Sequence, residues 1–174
     1  MFDVGKCCII RFPAPVLGQK AKPVEKIDDS IRALADRMMD LMVQYKGVGL
    51  AGPQAGVGLR IFVASPDGTK KNAKVYINPV ITPSGKLEVT EEGCLSLPGI
   101  YGKIRRYSNC SIKARDLDGR EFSEEAEGLP ARIFQHECDH LDGTLVADKL
   151  STVAKIGARK KLKQLRENYA QQKQ

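Results

Sequence analysis

Histidine is nearly missing from this chain: two residues, His136 and His140, in 174. Any chemistry that needs an imidazole is therefore confined to one stretch. Other absences narrow the field further. No apolar run approaches the roughly 20 residues that span a bilayer, so no membrane role is expected. The start, Met1 to Lys6, lacks the basic and apolar regions of a secretory signal and the Arg/Ser richness of a transit peptide. A cytoplasmic protein is expected. The five cysteines, Cys7, Cys8, Cys94, Cys110 and Cys138, are odd in number and contain no Cys-x-x-Cys pair, which argues against a disulfide framework. Reduced thiols are expected, one of them free to act as a ligand. Acidic residues are scarce at the C-terminus. From Lys155 onward seven Lys/Arg residues accompany one acid, Glu167, so most of the formal net charge of +7 lies there. Such a tail favours a polyanion such as RNA or an acidic lipid surface. On charge alone, a solvated helix is the simpler reading.

What is present suits one α+β domain spanning residues 1–174, with 42% hydrophobic residues to build its core. Pro13, Pro15 and Pro23 keep the first twenty-odd residues irregular. Asp28 and Asp29 offer N-caps to an amphipathic helix carrying Ile31, Leu34, Ala35, Met38, Leu41, Met42 and Tyr45, which Gly47 closes. Its methionines read as core. Gly47 to Gly58 is a glycine-rich loop leading into a strand at Arg60 to Ala64. It lacks the Gly-Lys-Ser/Thr of a phosphate loop and precedes a strand, not a helix. Its glycines are better suited to close backbone approach. Strands are predicted at Lys74 to Ile81, Lys86 to Thr90, Lys103 to Tyr107 and Cys110 to Arg115. An Asp118-Gly119 turn then leads into Arg120 to Ala126. A largely buried helix is predicted over Leu129 to Asp142, with Pro130 in its first turn and Gly143 beyond its end. A basic helix follows from about Thr152. The expected architecture is antiparallel sheets packed around a central metal-binding helix, flanked by the N-terminal amphipathic helix and the C-terminal basic one.

The central helix carries Gln135-His136-Glu137-Cys138-Asp139-His140. Histidines at i and i+4 share one helix face and can point at one ion, while Glu137 stands beside it as a base for a bound water. A third ligand is needed. The long zinc-protease pattern with a third histidine fails, because Val146 occupies that position. Glu167, Asp142 and Asp148 offer carboxylates without a supporting motif. Cys94, in Glu91-Glu92-Gly93-Cys94-Leu95-Ser96-Leu97-Pro98-Gly99, offers a thiol on a tight irregular backbone. A buried cysteine is more often inert packing, so the residues alone leave the choice open.

Three separated segments together resemble the peptide deformylase family: Gly47-Val48-Gly49-Leu50-Ala51-Gly52-Pro53-Gln54, Glu92-Gly93-Cys94-Leu95-Ser96, and Gln135 through Gly143 with its His-Glu-Cys-Asp-His core. The resemblance covers nearly the whole chain. It implies removal of the formyl group from the N-terminal formylmethionine of new polypeptides, with release of formate. It implies that Cys94, His136 and His140 bind one divalent metal, iron(II) as the natural ion, with zinc, nickel or cobalt as substitutes. A metal-bound water would attack the formyl carbon, with Glu137 as general base and acid. The Gln54 amide and the Leu95 N–H would stabilise the oxyanion. Val48 and Gly49 would hold an extended peptide, and Val48, Leu129 and Ile133 would line the methionine pocket. The basic tail would dock on the ribosome through Lys155, Arg159, Lys160, Lys161 and Lys163. No DNA partner is implied. From the residues, Asp139 is expected to orient a ligating imidazole and Arg106 to pair with Glu92, with a plain structural salt bridge as the equal alternative for each. Two positions depart from the family pattern. Gly52 replaces an alanine, a change expected to remove little beyond a methyl. Tyr101 stands near the substrate groove where some members carry arginine.

Two other readings compete. A small metallopeptidase of the His-Glu-x-x-His type would take a carboxylate or a third histidine as its third ligand and leave the Gly-Cys-Leu-Ser segment without a use. A structural metal site in a ribosome-associated binding protein needs four protein ligands and leaves Glu137 idle.

Overall fold

The computed structural model describes residues 2–171; the last three residues of the basic tail expected to reach position 174 lie outside that range. Helix α1 covers Asp29–Gln44. Its N-cap is Asp28, whose carboxylate accepts from Ser30 N at 3.0 Å and Ile31 N at 3.3 Å. Ile31, Leu34, Ala35, Met38, Leu41 and Met42 are all buried along one stripe, each large side chain contributing about 1.5–3 kcal/mol. These methionines are core, as their spacing predicted.

Five strands follow: β1 Gly49–Ala51, β2 Ile61–Ala64, β3 Lys74–Gly93, β4 Tyr101–Arg115 and β5 Glu121–Glu127. They form one antiparallel sheet in sequence order. Two differences from the sequence reading have physical causes. The separate short strands expected between residues 74 and 115 are halves of two long ones. The register shifts between Ile77 and Val80 and between Ser84 and Leu87, where Asn78 and Gly85 take positive φ, so the apolar alternation breaks without ending the ladder. The glycine loop also contains a strand. Gly49, Leu50 and Ala51 pair with Ala64, Val63 and Phe62, although glycine hides β periodicity.

Helix α2, Gly128–Leu141, packs against β4, β1, β2, β3 and β5. One of its faces carries Ala131, Phe134, Cys138 and Leu141 into a core with Phe62 and Tyr76. The rings of Phe62 and Tyr76 stack at 4.5 Å, and Phe134 tilts against Tyr76 at 4.9 Å. The other face carries Leu129, Arg132, Ile133, His136, Glu137 and His140, at spacings of three and four. The core thus fixes which side of α2 faces the site. A short helix α3, Val146–Lys149, and the basic helix α4, Thr152–Gln171, complete the chain. Helix α4 buries only Leu165 fully. Its Arg166 guanidinium lies 5.3 Å from the Phe12 ring centroid.

The irregular N-terminal segment is a strap. Ile10 N donates to Gln54 O at 2.8 Å, Phe12 N to Ser96 O at 2.9 Å and Ala21 N to Leu141 O at 2.8 Å. It ties together the three segments that carry the motifs. Among the described residues, no helix is long and apolar enough to cross a membrane.

Candidate active site

Strand β3 ends at Gly93, and Cys94 opens the turn into β4. A Cβ at Gly93 would lie 2.6 Å from the Tyr101 ring, so a larger residue there would have to displace that exposed side chain. Cys94 Sγ lies 3.2 Å from His140 Nε2, which lies 3.2 Å from His136 Nε2. The three donor atoms all fall within 4.8 Å of one another. Donors roughly 2.0–2.3 Å from one centre in a tetrahedron stand roughly 3.3–3.7 Å apart. A sulfur and two imidazole nitrogens at these separations fit a divalent transition metal with one position left for a small ligand. The downstream carboxylates are engaged elsewhere: Asp142 pairs with Arg60 at 2.7 Å, Asp148 accepts from Leu145 N at 2.8 Å and Glu167 lies 3.8 Å from Lys163. The thiol of Cys138 is in the aromatic core, where burial pushes it up to about 12. It is no ligand.

The imidazole of His136 is held by Glu92, not by the expected Asp139. Glu92 Oε2 lies 3.0 Å from His136 Nδ1, which leaves Nε2 facing the cluster. Both Glu92 oxygens also accept from Arg106, each at 2.8 Å. This is the anticipated Glu92–Arg106 pair, in bidentate form. Asp139 sits behind it, accepting from Arg106 at 2.5 Å and pairing with Lys149 at 2.8 Å. Burial alone would raise the Glu92 carboxyl, but Arg106 and His136 outweigh it and hold it down at about 2. Burial likewise opposes charge on His136, but Cys94 and Glu92 outweigh it and push the imidazole up to about 10. A metal cation among these donors would take that proton's place. His140 is driven the other way, well below its ordinary value, by burial and by His136.

Glu137 is buried, and its Oε2 has no hydrogen-bond partner. Burial pushes its carboxyl up to about 7, the range in which a group can take and return a proton near neutral pH. Its Oε1 lies against Gly49, where any Cβ would collide with the carboxylate. Position 49 must therefore be glycine for the Glu137 carboxylate to keep this place. Gln54 is buried in the 3₁₀ turn after β1, and its Oε1 accepts from Ala51 N at 2.8 Å. That contact fixes the amide so that Nε2 points at Cys94 Sγ, 3.4 Å away.

A cleft of about 520 Å³ opens beside these groups; Val48, Gly49, Leu95, Leu129 and Ile133 all line it. Ile133 is buried, while Val48 and Leu129 stand half-exposed at its mouth. Val48 O accepts from Ser65 N at 2.8 Å. Alternation along the ladder then turns the N–H and C=O of Gly49 to the free edge of β1. Gly52 does not behave as expected. A Cβ there would lie 2.6 Å from Leu59 O and 2.9 Å from Val57 O, so the backbone has closed around the missing methyl. Sequence reasoning missed Arg132, which lines the same cleft one helical turn from His136. Only its helical spacing from His136 could have signalled it.

An α+β fold whose site gathers a cysteine and two histidines at metal-binding distances beside a buried carboxylate defines the class of metal-dependent hydrolases. The profile of the polypeptide deformylase family matches residues 7–155. The chain is 46% identical over 155 residues to the peptide deformylase of Pseudomonas aeruginosa, covering 88% of this chain and 92% of that one. It superposes on a plant peptide deformylase crystal structure with a TM-score of 0.92 at 37% identity, over 99% of this chain and 95% of that one. With the Plasmodium falciparum enzyme the TM-score is 0.89 at 38% identity, over 93% and 96% of the chains. The chain belongs to the polypeptide deformylase family. Its activity is hydrolytic removal of the formyl group from the N-terminal formylmethionine of nascent polypeptides, and like the family it depends on a metal.

Proposed function

We propose that Cys94, His136 and His140 hold the metal, that Glu137 is the general base and acid, and that Gln54 and Leu95 supply the oxyanion donors. The observation that carries this reading is the meeting of three metal-type donors with a buried, unpaired carboxylate and a fixed amide N–H. A bound divalent ion supplies Lewis acidity to water and to the formyl oxygen. Glu137 accepts the proton of the attacking water and returns it to the amine as the formyl C–N bond breaks, so that formate and a free N-terminus leave. Gln54 Nε2–H and Leu95 N–H donate where negative charge develops on the formyl oxygen. The peptide lies along the free edge of β1, hydrogen-bonded to Gly49 as an added strand. Its methionine side chain enters the cleft between Val48, Leu129 and Ile133.

Iron(II) is the natural ion in this reading, and zinc, nickel or cobalt fit the same donors. Residues 1–174 work as one catalytic unit in the cytoplasm. The basic residues of α4, Lys155, Arg159, Lys160, Lys161 and Lys163, dock on ribosomal RNA with salt-dependent affinity.

The test is anaerobic formate release from formyl-Met-Ala-Ser by protein reconstituted with iron(II), beside Glu137→Gln holding the same ion. Rapid release by the parent and near silence from the variant is the expected result. Equal release by both would remove Glu137 from its role.

A further inference from the structure

Helix α1 ends in a conformation that its residues do not favour. Gly47 N donates to Met42 O at 2.8 Å and Lys46 N to Val43 O at 3.0 Å. This is the bond pattern of a Schellman cap, whose left-handed position is usually a glycine. Here Lys46 holds that position, at φ 55°, although Gly47 stands next to it. Among the described residues the other non-glycine residue with positive φ is Asn78. Its amide donates to Val24 O and accepts from Val24 N, each at 2.8 Å. Asparagine tolerates this conformation, and those bonds hold it there. Lys46 has no such anchor. It is exposed, and among the described residues no ion pair or hydrogen bond engages its ammonium group.

Lys46 lines the active-site cleft together with Gly47, Val48 and Gly49. With the formyl group at Gln54 and Leu95 and the methionine beside Gly49, the peptide runs against the direction of β1. At roughly 3.4 Å per residue its third residue lies beside Gly47, one position from Lys46. The charge left open along this path is positive. Arg11 also lines the cleft and has no acidic partner among the described residues. Glu92 is held by Arg106 and His136, and Glu91 stands opposite Lys103 in the β3–β4 ladder. A lysine ammonium on its flexible stem meets an anion as a point charge and needs no fixed geometry. We infer that Lys46 is a specificity-determining residue that favours formylated peptides with an acidic side chain at their third residue, its ammonium group pairing with that carboxylate. The inference rests on the substrate path of the reading above.

The experiment measures kcat and KM for formyl-Met-Ala-Glu-Ser-amide and for the same peptide with Gln in place of Glu, at low and at high salt. Amidation removes the terminal carboxylate from the comparison. The parent is set beside Lys46→Gly and Lys46→Glu, all loaded with the same divalent ion. Glycine takes the left-handed position freely, so Lys46→Gly keeps the cap. The parent is expected to favour the Glu peptide roughly two- to fivefold in kcat/KM, the range of one exposed ion pair. The difference should lie in KM, with kcat alike for the two peptides, and should vanish at about 0.5 M salt. Lys46→Gly is expected to bring the ratio to one, and Lys46→Glu to invert it. A cation that serves only the C-terminus of α1 would lower Tm on substitution and leave the ratio as it was. That result, or a parent that treats the two peptides alike, would overturn the inference while leaving the deformylase reading intact. Failure of the parent on both peptides would overturn both.

Discussion

Glu137 and Gly49 form a pair in which the smaller residue protects the larger one's work. The carboxylate has space only because position 49 lacks a Cβ. Gly49→Ala is expected to keep the fold and the metal but displace the base, lowering kcat by roughly 10²-fold or more, the usual contribution of a positioned base. Formate-release kinetics on metal-matched protein checks this. Glu92 acts at the same scale through His136. Glu92→Gln removes one partner of a buried bidentate ion pair, a loss of about 3–5 kcal/mol, visible as a lower urea midpoint. In the metal-free protein the folded-state carboxyl lies near 2, below its ordinary 4.5. The folded state thus binds fewer protons than the unfolded one between those values. Its stabilising contribution is complete above about 4.5 and is lost as pH falls toward 2. Acid titration of stability should show that loss in the parent and not in Glu92→Gln.

At the scale of elements, the turn around Gly52 is the most particular feature of this chain. Gly52→Ala restores the residue usual in the family, yet here its methyl meets the carbonyls of Val57 and Leu59. The expected outcome is a loss of about 1–3 kcal/mol, the range for overpacking, measured by denaturant unfolding. Helix α4 offers a contrasting case. Removing residues 152–174 takes away, among the described residues, one fully buried side chain, Leu165. It should lower Tm by several degrees, spare turnover of short formyl peptides and weaken ribosome binding at low salt; unchanged binding would exclude the helix as the dock. Helices α1 and α2 were legible in the sequence because each has a capping or breaking residue and a clear 3.6-residue period: Asp28 before α1, Pro130 and Gly143 around α2; the single turn of α3 was not anticipated. Strand β1 was not legible, since Gly49-Leu50-Ala51 carries no alternation, and the continuity of β3 was masked by the bulges near Asn78 and Gly85. The two histidines could be picked out as a pair because their motif is contiguous, and Cys94 was joined to them only through the family resemblance; the three side chains do gather in one cluster. The Glu92–His136 contact spans 44 positions, and no local pattern announces it. Asp139, inside the motif, was offered either the orienting role or a plain salt bridge; the structure gives it the salt bridge, and Glu92 the imidazole.

Across the whole molecule, the proposed metal donors connect parts that are otherwise separate. Cys94 packs with the cluster formed by Leu97, Leu145 and Leu165, whereas α2 is anchored in the aromatic cluster of Phe62 and Tyr76. An ion bound only by the folded chain stabilises all of it together. At a free concentration about 1,000 times Kd the gain is about 4 kcal/mol, or roughly 8–16 °C in Tm for a chain of this size. Chelation should reverse that shift, and Cys94→Ser should make Tm indifferent to the chelator. The separation of the donors along the chain also has a bearing on synthesis. The thiol leaves the ribosome more than forty residues before the second imidazole, and the two meet only after the β3–β4 hairpin and α2 have docked. A half-made chain is therefore chemically silent, and hydrolytic competence arrives in one step, with the closing of the fold.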